Sequence, residues 1–115
     1  MAFDGPQRNT QATLQDFFKL VSKIISEGTS DQYSLMVLDH FMREHEKQYP
    51  FVKYIHLQKD TVVVESGVNK ADPKLVAKFI EELMGSLFSR LFKHLVKKKM
   101  TIELYEQFKR LGVQL

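Results

Sequence analysis

The side chains most able to do chemistry in this 115-residue chain crowd into one short stretch: Asp39, His40, Arg43, Glu44, His45 and Glu46. On a helix, His40 and Glu44 stand four apart and share a face, as two ligands of one metal ion would. His40 and His45 stand five apart and diverge by roughly 140°, so they do not meet at one ion. The run from His45 to Tyr49 lacks the second histidine of the zinc-protease helix, and a further ligand would have to come from His56 or elsewhere. The reading this spacing favours is a solvated face carrying an i,i+4 pair, with no metal.

Nucleophilic and phosphate chemistry find less support. With no cysteine, the chain can build neither a thiolate metal site nor a cysteine nucleophile. Ser66-Gly67 and Gly85-Ser86 are not set in a G-x-S-x-G elbow, and there is no glycine-rich phosphate loop among the five glycines. Glu81 and Glu82 are helix neighbours whose carboxylates diverge. The expectation is a non-catalytic chain that needs no cofactor.

Charge is the more informative feature. Residues 90–115 hold seven lysines and arginines against two glutamates, a net +5, whereas the rest holds ten bases against twelve acids, a net −2. Arg90, Lys93 and Lys97 fall within about 60° of one another on a helix, and Lys98 and Lys99 extend the patch. Such a row can track phosphates or dock an acidic protein surface. It also complements a helix C-terminus, which alone accounts for tenths of a kcal/mol per lysine. Two helices before a hairpin resemble the start of a winged helix, but three precede the wing in that DNA-binding architecture.

The elements that must position these groups follow from periodicity. Residues 1–9 have little to bury and form a lead-in; residues 10–115 form one domain. Leu14, Phe17, Phe18, Val21, Ile24 and Ile25 predict an amphipathic first helix ending at Gly28. A second helix runs from a cap among Thr29, Ser30 and Asp31 to about Gln48, and Tyr49-Pro50 ends it. Residues 51–58 and 61–66 read as strands joined by a tight turn at Lys59-Asp60, and Gly67 begins a linker. Thr101 caps a short final helix whose apolar edge is Ile102, Tyr105, Phe108 and Leu111, with Gly112 beyond its end.

Between linker and cap lies the longest apolar stretch, residues 72–100, opened by Asp72-Pro73. As one straight helix it would be roughly 43 Å long. A spherical domain of this size is roughly 35 Å across. Its apolar stripe also drifts by roughly 200°, which demands a junction near Gly85-Ser86 or two different partners for its halves. An overhanging rod would bury Leu87, Phe88, Leu91, Phe92 and Leu95 against a twofold mate, making a homodimer. The alternative is a bend at Gly85 and a monomer.

The fold expected is α+β and mostly helical, in the order α-α-β-β-α-α, with one β-hairpin and a long amphipathic third helix. The function expected is a small regulatory or protein-interaction module whose Arg90, Lys93, Lys97, Lys98 and Lys99 face an acidic partner. Nucleic-acid binding through the same side chains is the second reading. A third is a small-molecule sensor with an apolar pocket among Phe79, Met84, Phe88, Phe92 and the hairpin. The start of the chain has no secretion-type apolar run, and no stretch is long and apolar enough to insert in a membrane. That favours a cytoplasmic location.

Overall fold

The computed structural model describes residues 9–28, 30–58, 61–87 and 90–113; the side chains of residues 28, 31, 86–87 and 90–93 fall outside that description. The order is α1 (Thr10–Gly28), α2 (Asp31–His45), a 3-10 turn (Pro50–Tyr54), β1 (Ile55–Gln58), β2 (Thr61–Val64), a second 3-10 turn (Ser66–Lys70), α3 (Pro73–Leu87), α4 (Arg90–Lys99) and α5 (Ile102–Leu111). This is a mostly helical α+β fold with one antiparallel hairpin, as the periodicity predicts.

Each described cap is a local side-chain decision. The Asn9 amide oxygen accepts from Ala12 N–H at 2.9 Å, Ser30 Oγ from Tyr33 N–H at 3.1 Å and Thr101 Oγ1 from Leu104 N–H at 3.1 Å. These satisfy first-turn donors that a helix leaves unpaired. Gly112 ends α5 with a φ of 90°, a left-handed conformation that suits glycine, and its N–H reaches the Phe108 and Lys109 carbonyls.

Two expectations about 72–100 change. The stretch carries two helices, α3 and α4, with residues 88–89 between them outside the described residues, and neither helix by itself is a 43 Å rod. At 1.5 Å per residue α3 is roughly 22 Å and α4 roughly 15 Å. Both fit within the molecule's 44 × 30 × 24 Å extents. The junction falls just beyond Gly85, which lies exposed inside α3 with open space where a Cβ would stand. Packing therefore does not require glycine there.

The hub is α1 instead. It touches α2, β2, the second 3-10 turn, α4 and α5. Its Leu14, Phe17, Phe18 and Val21 are fully buried. From α3 come Val76, Phe79, Ile80, Leu83 and Met84, all fully buried. Phe79 lies at the centre of an aromatic cluster, with ring centroids 5.3 Å from Tyr49 and Phe51, 5.8 Å from Phe41 and 6.3 Å from Phe18. The Tyr49 and Phe51 contacts are edge-on, the arrangement that ring quadrupoles favour.

The strands are shorter than expected. Residues 50–54, whose latter part was expected to begin a strand, form a 3-10 turn, because Phe51 and Val52 are both buried and neighbours on a strand would point to opposite faces. Residues 66–70, the expected end of a strand and a linker, form the second 3-10 turn, which buries Val68 completely. Between them β1 and β2 pair with Ile55 opposite Val64 and Leu57 opposite Val62. The expected turn at Lys59-Asp60 lies outside the described residues, as do residues 1–8 of the lead-in.

A two-stranded hairpin is marginal by itself. Here α1 supplies what a third strand would. Gln15 donates its amide to the Val62 carbonyl at 2.6 Å and accepts from Val64 N–H at 3.0 Å. One turn earlier, Gln11 donates to the Val64 carbonyl at 2.9 Å. The two glutamines close the outer edge of β2.

Replacing Gln15 with alanine strands both partners at a half-buried edge and should cost about 1–3 kcal/mol in a urea titration. Gln15→Glu should be no better, because it keeps the acceptor for Val64 but sets an acceptor against the Val62 carbonyl. Phe79→Ala, at the centre of the cluster, should cost about 3–5 kcal/mol by the same measurement.

Candidate docking surface

The polar stretch on α2 resolves into pairs on a solvated face. His40 Nε2 contacts the Glu44 carboxylate directly, while Arg43 reaches Asp39 at 3.5 Å and Glu46 at 3.0 Å. No group of three or more metal-ligating side chains is placed to hold an ion among the described residues. His56, the distant ligand considered, contacts Glu65 at 2.6 Å across the end of the hairpin instead.

His45 behaves differently from its neighbours. Its ring stacks on Phe41 with centroids 4.1 Å apart, and its nitrogens meet two acceptors: the Phe41 carbonyl at 2.8 Å from Nδ1 and Glu82 Oε2 at 2.8 Å from Nε2. A neutral ring donates to only one of these, whereas the imidazolium donates to both. The other Glu82 oxygen accepts from the buried Tyr49 hydroxyl at 3.2 Å, and Gln48 Nε2 donates to the same hydroxyl at 3.2 Å. Burial and the adjacent Glu82 carboxylate push the Tyr49 phenol up to about 12 from an ordinary 10.0. This cluster escapes sequence reading because Glu82 lies more than thirty residues from its partners. Its one signal is a carboxylate three residues after Phe79, beside an apolar helix face. The group ties α2 to α3, with Tyr49 fully buried and His45 and Glu82 partly exposed.

The basic residues divide. Lys97 and Lys98 are exposed at the end of α4, but Lys99 is engaged, its ammonium 2.8 and 3.1 Å from the two oxygens of Glu27 on α1. The Lys99 hydrogen bond holds the Glu27 carboxyl below its usual range. The adjoining cleft of about 300 Å³ has Asp16 and Glu103 as well as Lys19 and Lys99, so it prefers neither sign of charge. The side chains of Arg90 and Lys93 lie outside the described residues. So do those of Leu87, Phe88, Leu91 and Phe92 from the expected dimer seam, of which Leu95 is half-buried.

The apolar pocket expected among Phe79, Met84, Phe88 and Phe92 is not built around the first two, since both are fully buried in the core. Phe88 and Phe92 lie outside the described side chains. A cleft of about 250 Å³ exists elsewhere, between the two 3-10 turns, lined in part by Phe51, Tyr54, Gly67 and Leu75. In its wall Tyr54 rests on Gly67, where a Cβ would come within 2.3 Å of the ring.

The largest departure from expectation is on α5. Its buried side is Leu104, Gln107 and Phe108, while Ile102 is 80% and Tyr105 45% exposed. Two apolar stripes run along this short helix, and the core selects the one that contains Phe108. Ile102, Tyr105 and Lys109 then share the outer face, with the Lys109 ammonium 5.2 Å from the Tyr105 ring centroid. Only Met100 and Thr101 separate α4 from α5, so the exposed Lys97 and Lys98 precede the exposed isoleucine by four or five residues in the chain.

Comparison with protein-family models, with curated proteins and with solved structures gives no match. Among the described residues no helix is long and apolar enough to cross a membrane.

The Tyr49 shift has a definite sign. A phenol that titrates higher in the folded chain than in the unfolded one contributes stability fully below about pH 10 and loses it as pH rises towards 12. Urea midpoints should fall over that interval, and Tyr49→Phe should flatten the fall while removing one late step from the phenolate absorbance titration.

Proposed function

We propose that this chain is a non-catalytic protein-interaction module whose α4–α5 end binds an acidic protein segment carrying an apolar side chain. The observation that carries the reading is Ile102, 80% exposed on a helix whose other face is well buried, on the same side as Tyr105 and Lys109 and only a few residues along the chain from the exposed Lys97 and Lys98. Aromatic and aliphatic anchors ringed by charge are the usual anatomy of a docking patch. The lysines complement acidic residues and speed encounter.

The same surface favours a protein over a nucleic acid. An exposed isoleucine adds nothing to phosphate contacts but offers an anchor for a protein side chain.

The test is fluorescence anisotropy with a labelled amphipathic peptide of glutamate and leucine, set against random duplex DNA and single-stranded RNA. Peptide binding should weaken by about tenfold, or ~1.4 kcal/mol, in Ile102→Asp and again in Lys97→Gln/Lys98→Gln. Tighter, salt-sensitive binding of either nucleic acid would replace this reading with the nucleic-acid one. A doubled mass by light scattering that Ile102→Asp returns to monomer would make a second copy of the chain the occupant.

A further inference from the structure

We infer that the polar cleft between the start of α1 and the end of α5 binds the carboxylate or phosphate head of a small organic anion. The cleft has a volume of about 260 Å³, and its lining includes Thr13, Asn69, Pro73, Gln107, Arg110 and Leu111.

The case begins with Gln107, a polar side chain only 6% exposed. Its Oε1 lies 2.9 Å from the hydroxyl of Thr13, which is itself only 2% exposed. That hydroxyl has one proton and also lies 3.1 Å from the Asn9 carbonyl; the Gln107 oxygen is the nearer of the two acceptors. The Gln107 amide nitrogen is left with two N–H groups and no acceptor among the described residues, a state that native interiors avoid unless something else binds there.

The surroundings agree on the sign of what would bind. Arg110 lines the same cleft, and among the described residues it has no carboxylate partner and no aspartate or glutamate lines the cleft. Asn69 uses its oxygen to accept the Gln11 N–H at 2.9 Å, which leaves its own amide N–H groups available. The positive end of the nineteen-residue α1 opens beside Thr10. A guanidinium and two amide NH2 groups form a donor set with no competing anion among the described residues. Pro73 and Leu111 supply an apolar wall for the ligand's body. The face bearing Ile102 starts at the opposite end of α5, so this site is separate from the docking surface.

The experiment is a titration of the full chain with acetate, benzoate and inorganic phosphate, each against chloride at matched ionic strength, followed by two-dimensional 15N NMR. At least one oxyanion should shift the side-chain NH2 signals of Gln107 and Asn69 and the Arg110 Nε–H saturably, while chloride does not. Benzoate above acetate would identify a carboxylate with an apolar body, and phosphate above both a phosphate ester. Arg110→Gln should weaken the response by about tenfold and Lys98→Gln should leave it unchanged. Gln107→Met, shown folded by its backbone spectrum, should weaken it as well. Shifts that do not saturate, that persist in Arg110→Gln, or that appear only at surface lysines would overturn the proposal.

Discussion

The packing of Phe79 against rings from three directions is the constraint on which the rest of the molecule depends. Phe18 comes from α1, Phe41 from α2, and Tyr49 and Phe51 from the turn between α2 and the hairpin. Once that ring is enclosed, the angle at which α3 crosses the first two helices is set, because close-packed rings have few alternative arrangements. The 3-10 turn at Pro50–Tyr54 is a consequence: it delivers adjacent residues, Phe51 and Val52, to the same interior. Burial of Tyr49 brings its hydroxyl into the core edge, and Glu82, a turn along α3 from Phe79, meets it there with His45 on the other side. One apolar arrangement thus forces one polar arrangement.

A second constraint is the hairpin's unpaired edge. Strands of four residues cannot sustain themselves, and a bare edge invites pairing with other chains. Glutamines four apart on α1 imitate the donor and acceptor rhythm of a neighbouring strand, which binds the hairpin to the hub of the fold. This also removes the β2 edge from the surfaces on which a partner could build a larger sheet. The surfaces proposed for function lie elsewhere: the helical end, where Lys97, Lys98, Ile102 and Tyr105 are exposed, and the cleft containing Gln107 and Arg110.

Where sequence reasoning succeeded, the signal was local. Ser30, Thr101 and Gly112 act within a turn or so of where they stand, and Leu14, Phe17, Phe18 and Val21 need only a helical period to declare a buried face. Where it failed, two stretches of equal local merit competed. On α5 the pair Ile102/Tyr105 and the pair Leu104/Phe108 are equally apolar, and only the space beside Phe17, whose ring centroid is 5.5 Å from that of Phe108, decides between them. Residues 51–54 have strand-like composition but contribute two consecutive side chains to the core, which a strand cannot do. The docking face and the anion cleft were both hidden by this ambiguity, since each consists of the side of α5 that the core did or did not take.

By itself the sequence determined the helical segments, the hairpin, the caps and the concentration of positive charge towards the C-terminus, because those depend on spacing, on short-range hydrogen bonds and on composition. The tertiary structure alone decided that 72–100 is two helices, that α1 is the hub, that Lys99 is engaged by Glu27 and that Gln107 is buried beside Thr13. Each of those rests on a contact between residues far apart in the chain, and no local rule states which of several compatible partners a side chain will reach first.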